Sequence, residues 1–208
     1  IAFVVDVTGS MKPTIDAAKS KIIDFIKNSR AQGYHTRMCL VTFGDYVIKK
    51  CSRFYDNNPA DPATESQVKE LISEITKLQA LSGINDPGGY DFDENPMRAL
   101  IDTASAPWVS DSQRFAILVT DAGFLYSPGN SGQIGSQAPN FTDVKAALKA
   151  SNMKVFAVTP SLAGYDKKFG SDEGIATLSN GEWYKYQDLV TNKISINTIL
   201  NKILVIVN

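Results

Sequence analysis

The sequence has few cysteines and histidines. Its 208 residues include only Cys39, Cys51 and His35 of these two types. A structural zinc site of the usual kind needs four cysteine or histidine ligands, so these three residues cannot build one. A metal ion bound to this chain would therefore have to be held by oxygen.

Long apolar runs and runs of one charge are also missing. The most apolar stretch, residues 203–207, is far shorter than the roughly 20 residues that a membrane-spanning helix needs. Lysine and arginine total 21, aspartate and glutamate total 22, and neither sign collects in a run suited to nucleic acid or an anionic membrane. We therefore expect no nucleic-acid partner, no membrane insertion of this domain, and recognition through a local site.

The length and the first residues bear on domain organisation. With 208 residues, 43% of them hydrophobic, one domain can bury a sizeable core. The chain begins at Ile1 inside an apolar, strand-like run, without an initiator methionine or a leader. We therefore expect residues 1–208 to form a single domain that is a fragment of a larger protein.

Cys39 and Cys51 are equidistant from Asp45 in a predicted hairpin. That register can place the two cysteines face to face. They would form a cross-strand disulfide in a secreted protein, whereas in a reducing compartment they would be two small buried residues. The sequence leaves both interpretations open.

Apolar runs rich in β-branched residues alternate with amphipathic segments. The runs predict strands at 1–5, 38–43, 115–120 and 155–158. Helical spacing of apolar residues predicts helices from Pro13, over 65–78, 96–104 and 142–150, and from Ile194. The strands are continuously apolar, as expected when helices cover both faces of a parallel sheet. We predict a doubly wound α/β fold with a mostly parallel central sheet and a short antiparallel edge at 50–55.

Oxygen-bearing side chains follow two of these strands. Asp6, Thr8 and Ser10 come directly after the first strand, within the segment DVTGSM, and Asp121 follows the strand at 115–120. Ligands of open parallel sheets bind beyond the carboxyl ends of the strands. Carboxylates and hydroxyls are hard oxygen donors of the kind that Mg²⁺ prefers.

These segments resemble the von Willebrand factor type A (VWA) family. DVTGSM is similar to the Asp-x-Ser/Thr-x-Ser opening of that family's metal-ion-dependent adhesion site, and Thr120-Asp121 is similar to its second acidic element. Between them, residues 88–94 (GGYDFDE) resemble a Gly-Gly-Gly-Asp-x-Pro-Glu loop of one branch, in which Asp91 stands where integrin-type members carry threonine. Tyr90 and Asp93 depart from that loop pattern.

The resemblance implies both a Rossmann-like fold and a function. Thr8 and Ser10 would bond the ion directly, Asp6 and Asp121 mainly through water, and Asp91 directly or through water. The ion would be Mg²⁺, with Mn²⁺ or Ca²⁺ as alternatives, and its open position would take an Asp or Glu carboxylate of a partner protein. The family favours an extracellular or cell-surface adhesion role, with an intracellular location still open.

Simpler interpretations compete with the metal site. Asp6, Thr8 and Ser10 are also common turn and helix-entry residues. For Asp93 and Glu94 we favour a solvated acidic loop. We favour the metal site for the four residues Asp6, Thr8, Ser10 and Asp121. The reason is that like charges at neighbouring strand ends repel one another without a cation. The Gly- and Ser-rich stretch 127–140 is expected to be a long loop that shapes partner choice.

Two other functional classes remain as alternatives. An Asp-x-Thr-Gly-Ser segment after a strand also resembles the nucleophile loop of haloacid dehalogenase-like phosphoryl-transfer enzymes, with Asp6 as nucleophile. That chemistry needs a paired acidic motif after a later strand, and the segment 120–123 supplies one acid. His35 has no assignable nucleophile and is expected to be a solvated loop residue. We therefore expect no enzyme; a metal-independent structural module is the other alternative.

Overall fold

The structure, a computed structural model, describes residues 1–81, 93–131 and 138–207. Its strands are β1 (Ala2–Asp6), β2 (Thr36–Phe43), β3 (Val47–Lys49), β4 (Tyr55–Asn57), β5 (Asp93–Glu94), β6 (Arg114–Val119), β7 (Gly123–Phe124), β8 (Met153–Thr159) and β9 (Glu182–Lys185). Its helices are α1 (Lys12–Ala31), α2 (Glu65–Lys77), α3 (Pro96–Ala104), α4 (Phe141–Ser151), α5 (Ile175–Leu178), α6 (Tyr186–Val190) and α7 (Ile196–Val207).

The main sheet is mostly parallel. Its order is β3-β2-β1-β6-β8-β9, with the five strands from β2 to β9 parallel and β3 and β4 both antiparallel to β2. The register places Asp6 beside Phe43 of β2 and Val5 beside Val119 of β6. The carboxyl ends of β1, β2 and β6 therefore meet at one edge, and the predicted fold class is confirmed.

Helices cover both faces of this sheet. Alternate residues of β1 point in opposite directions, so Phe3 and Val5 join the core under α1, α2 and α7, while Ala2 and Val4 join the core under α3 and α4. All four side chains are almost fully buried. A strand buried on both faces must be apolar at every position, which explains the uninterrupted apolar runs in the sequence.

The antiparallel edge lies on either side of the segment predicted for it. β3 and β4 flank residues 50–54, and only Tyr55 of the predicted segment pairs with β2. Within that segment a tight turn joins the Ser52 amide to the Lys50 carbonyl at 2.9 Å, so the chain leaves the ladder there. The last helix also begins at Ile196, two residues later than predicted.

The turn at residues 50–52, where the chain leaves the β-ladder, also places Cys51 next to Cys39. The two cysteines are joined in a disulfide with their Cα atoms 5.7 Å apart, and both are buried. Of the two interpretations that the sequence left open, the structure shows the disulfide. It ties β2 to the connection between β3 and β4.

Within the three described ranges, none of the helices combines the length and apolarity needed to cross a bilayer.

A candidate cation site at the carboxyl edge of the sheet

Asp6 forms the centre of the predicted site. One carboxylate oxygen, Oδ1, accepts hydrogen bonds from the Thr8 amide at 2.9 Å and the Thr8 hydroxyl at 2.7 Å. The other, Oδ2, accepts a hydrogen bond from the Thr120 hydroxyl at 2.6 Å. Asp6 has an exposed fraction of 0%. The carboxylate therefore shapes its own loop and joins the end of β1 to the end of β6.

Burial dominates the electrostatics of Asp6. The pKa of Asp6 is raised from 3.8 to about 6, mainly by loss of solvation and to a smaller extent by the nearby charge of Asp121. The hydrogen bonds from Thr120 and Thr8 oppose this shift because they favour the ionised form. All three donors are neutral groups, so they solvate the charge without balancing it. A cation nearby would lower the pKa.

Ser10 and Asp121 form a second pair beside the first. The Ser10 hydroxyl, which is exposed, donates to Asp121 Oδ1 at 3.1 Å. Thr8 and Ser10 thus each direct their single hydroxyl proton at a carboxylate. The bonding capacity left on both hydroxyl oxygens is lone pairs, which can accept a proton or coordinate a cation. The structure therefore joins Asp6 with Thr8, and Asp121 with Ser10, as two hydroxyl–carboxylate pairs.

Two residues at this edge were missed by the sequence reasoning. The Thr120 hydroxyl, besides donating to Asp6, accepts the Ala122 amide at 3.1 Å and so shapes the turn around Asp121. Tyr165 donates to the carbonyls of Ala122 and Gly123 at 3.2 and 3.1 Å. Thr120 directly precedes Asp121 at the end of a predicted strand, and this position could have indicated its role. Tyr165 is 43 residues from Ala122 in sequence, and no spacing pointed to it.

Asp93 and Glu94 do not form the solvated acidic loop that was predicted for them, so that prediction was wrong. Asp93 and Glu94 form β5, which pairs in parallel with β7 through Asp93–Gly123 and Glu94–Phe124. Glu94 is only 4% exposed, and Asp93 accepts a hydrogen bond from Asn130. The pairing of β5 with β7 accounts for the burial of Glu94, which could not be predicted from the charge of the segment.

Gly123 leaves room for the Asp93 side chain where β5 and β7 meet. A Cβ atom added to Gly123 would overlap the carboxylate of Asp93. The absence of a side chain therefore allows the Asp93 side chain to pack directly on the backbone that follows Asp121. Asp91, the remaining predicted ligand, lies outside the described residues.

The donor set at this edge suits a hard cation. Among the described residues there is no group of three or more His, Cys, Asp or Glu side chains that could hold a metal ion. The described part of the site instead combines two carboxylates with two hydroxyls, all of them oxygen donors. Mg²⁺ accepts few protein ligands and keeps several waters, so such a mixed set fits it.

His35 is a surface residue, as predicted. Its side chain is 52% exposed and its Nε2 lies 2.9 Å from Asp56 Oδ1 at the amino end of β2, the opposite edge from Asp6. Asp56 also pairs with Arg37 at 3.1 Å. His35 therefore takes no part in the candidate site.

Comparison with solved structures identifies a similar fold. A chain described as von Willebrand factor type A from Catenulispora acidiphila superimposes with a TM-score of 0.54 at 16% sequence identity. The match covers 92% of this chain and 40% of that one, so this chain spans less than half of that protein's length. No protein-family model matches this sequence, and no curated protein does. At this identity the likeness shows that the chain has a VWA-like, Rossmann-type fold.

Proposed function

We propose that this chain is a protein-binding module that holds one divalent cation, Mg²⁺ by preference, at the carboxyl edge of its sheet. The observation that carries the proposal is the pair of hydroxyl–carboxylate contacts, Thr8 with Asp6 and Ser10 with Asp121. They bring oxygen donors that follow two neighbouring parallel strands, β1 and β6, to the same edge of the sheet. The VWA-like fold supports the same proposal.

The charge of Asp6 gives a physical reason for a cation. A fully buried carboxylate surrounded by neutral donors is costly unless an opposite charge lies near it. The second carboxylate, Asp121, adds repulsion, which contributes to the raised pKa of Asp6. A divalent cation would offset both effects, and Mn²⁺ or Ca²⁺ could replace Mg²⁺ in an oxygen site of this kind.

The proposed roles are those that the resemblance to the VWA family implies. Ser10 is exposed and Asp121 half-buried, so both can be reached from solvent. Thr8 and Ser10 would bond the ion directly, and Asp6 and Asp121 would act mainly through water. Three of roughly four lone-pair directions of Asp6 are already used by Thr8 and Thr120, which leaves one for such a water. Asp91 is proposed as a further ligand on the strength of the sequence alone.

The partner is proposed to be a protein that offers an Asp or Glu carboxylate to the ion, as in adhesion. The Cys39–Cys51 disulfide supports an oxidising compartment, and so an extracellular or cell-surface location, because such bonds persist mainly there. The competing role of Asp6 as a phosphoryl-transfer nucleophile has less support. A nucleophile must reach its substrate, whereas Asp6 is 0% exposed and accepts three hydrogen bonds.

Calorimetric titration with Mg²⁺ and Mn²⁺ tests the proposal. The wild-type protein is expected to bind one ion, and Ser10→Ala and Asp121→Asn are expected to weaken binding at least tenfold. Ser112→Ala is the matched control, because Ser112 is another exposed serine and its hydroxyl donates to the Val109 carbonyl at 2.8 Å. Acetate or a glutamate-containing peptide, added at saturating Mg²⁺, then probes the open position of the ion.

Three outcomes would count against the proposal. Absence of saturable binding by the wild-type protein would remove the cation. Equal loss in Ser112→Ala would show a nonspecific effect. Partner binding that persists unchanged in EDTA would identify a metal-independent module instead.

A further inference from the structure

Tyr165 is a buried tyrosine whose hydroxyl ends at the turn that carries Asp121. Its exposed fraction is 0%. The hydroxyl donates to the carbonyl oxygen of Ala122 at 3.2 Å and of Gly123 at 3.1 Å, the two residues that follow Asp121. A hydroxyl has one proton, so the two carbonyls share it. This contact restrains the Ala122–Gly123 peptide unit, which leads from the Asp121 turn into β7, and the Gly123–Phe124 unit within β7.

The loop that carries Tyr165, residues 160–174, is braced by its own hydrogen bonds. The Gly164 amide donates to the Lys167 carbonyl at 2.8 Å, and the Ile175 amide donates to the Gly164 carbonyl at 2.8 Å. Gly164 has φ +94°, and a Cβ atom there would overlap the ring of Phe124. Glycine is therefore needed for the loop to reach its position against β7. The loop that positions the Tyr165 hydroxyl is therefore held by these hydrogen bonds and by its contact with Phe124.

The ring of Tyr165 packs on the same strand that its hydroxyl restrains. It meets the ring of Phe124, in β7, edge-on with centroids 5.3 Å apart. Phe124 also contacts Phe141 of α4 and Phe169 of the 160–174 loop, at 6.3 and 5.5 Å. The packing anchors β7, whereas the hydroxyl reaches past the ring to the turn before it.

The turn is held from its other side by the buried carboxylate. Thr120 donates to Asp6 at 2.6 Å and accepts the Ala122 amide at 3.1 Å. Ala122 is thus fixed at its amide by Thr120 and at its carbonyl by Tyr165. Asp121 lies directly before Ala122, and its carboxylate meets Ser10.

We infer that Tyr165 is a positioning residue for the candidate cation site, holding the Asp121 turn in the conformation that presents the carboxylate. The inference rests on the proposed function for the role of the cation. Tyr165 would not touch the ion; it would act through the backbone of Ala122 and Gly123. Since the ring alone fills the core, the hydroxyl is the part of the side chain assigned to this role.

The variant Tyr165→Phe isolates the hydroxyl, because it keeps the ring and its contact with Phe124. Tyr55→Phe is the matched control. Tyr55 is also a buried tyrosine, 6% exposed, but it lies in β4 and its hydroxyl contacts Glu70 at 3.5 Å. Both variants lose one hydroxyl from a buried ring, and only Tyr165 adjoins the Asp121 turn.

The first measurement is amide hydrogen exchange followed by NMR in EDTA, which needs no metal. Tyr165→Phe is expected to speed exchange of the Ala122 amide about fivefold, as for the loss of one hydrogen bond, while amides of β2 stay unchanged. The second measurement is Mn²⁺ affinity by calorimetry. Loss of a residue that supports a metal ligand typically costs 10–100-fold in affinity, and about tenfold is expected here.

The outcomes separate this inference from the proposed function. Unchanged Ala122 exchange in Tyr165→Phe overturns the inference whatever the metal result. If the wild-type protein binds Mn²⁺ and Tyr165→Phe binds it with the same affinity, the inference is overturned and the proposed function stands. The same holds if Tyr55→Phe loses as much Mn²⁺ affinity as Tyr165→Phe. If the wild-type protein binds no Mn²⁺, the proposed function fails, and with it the assignment of Tyr165 to a cation. Faster Ala122 exchange together with about tenfold weaker Mn²⁺ binding, both absent in Tyr55→Phe, supports it.

Discussion

In the metal-free protein, the free energy of unfolding of Asp6→Asn minus that of wild type should be larger at neutral pH than in acid. The pKa of Asp6 rises from 3.8 to about 6 on folding, mainly because the carboxyl group is buried. Such a group contributes stability that is fully present below the unfolded pKa of 3.8 and is lost as the pH rises through about 6. Ionised Asp6 therefore destabilises the metal-free fold.

The size of this effect follows from the shift. Roughly two pKa units at about 1.4 kcal/mol each correspond to about 3 kcal/mol between pH 3.5 and pH 7. Asparagine does not titrate, so the free energy of unfolding of Asp6→Asn minus that of wild type should rise by about this amount over the same range. The asparagine oxygen can still accept both bonds from Thr8, whereas the bond from Thr120 is lost at a cost of about 1 kcal/mol.

The absolute difference in stability depends on that lost bond, but its change with pH does not. Urea denaturation of both proteins in EDTA at several pH values therefore measures the titration of Asp6 directly. Asparagine is preferred to alanine because Asp6→Ala leaves three buried donors, two on Thr8 and one on Thr120, without an acceptor. A pH-independent difference between the two proteins would refute the reasoning.

The same two proteins should respond oppositely to metal. At a hundredfold excess of Mg²⁺ over its dissociation constant, wild type should gain about 2.7 kcal/mol of stability. Asp6→Asn should gain little, because the charge that favours the cation is gone. The wild-type gain should also shrink below about pH 6, where a proton on Asp6 competes with the ion. An equal gain in both proteins would remove Asp6 from the site.

Three further perturbations test other parts of the structure. Replacing Cys39 and Cys51 with alanine should lower the free energy of unfolding, measured by urea denaturation, by about 3 kcal/mol, as expected for a disulfide with a sequence separation of 12. The Mg²⁺ affinity should stay unchanged, because the disulfide lies away from Asp121. A large loss of affinity would contradict this. Gly123→Ala should lower both thermal stability and Mg²⁺ affinity, because the added Cβ displaces Asp93; calorimetry showing unaltered affinity would exclude that coupling. Asp91→Thr should weaken Mg²⁺ binding and strengthen acetate binding at saturating Mg²⁺, because one negative charge near the ion is removed. If both affinities stay unchanged, Asp91 is not a ligand.

Local sequence determined most of the architecture. Strands buried on both faces must be apolar throughout, and covering helices must carry an apolar stripe, so both elements leave patterns that are readable without a structure. The strand ends then located Asp6, Thr8, Ser10 and Asp121, because parallel strands bring their carboxyl ends to one edge. Short elements such as β9, with four half-buried or exposed residues, carry too little pattern to be recognised.

The tertiary structure decided what each polar residue contacts. Glu94 was predicted to be solvated because its charge is visible in the sequence, but its burial depends on pairing with β7, which the sequence does not show. The partners of Asp6 and of the turn after Asp121 are Thr120 and Tyr165, which are distant in sequence from Asp6 and Ala122 respectively. A hydrogen bond between distant residues leaves no periodic trace along the chain. The sequence alone therefore determined where the candidate site lies, and only the packing of distant segments decided how its carboxylates are held.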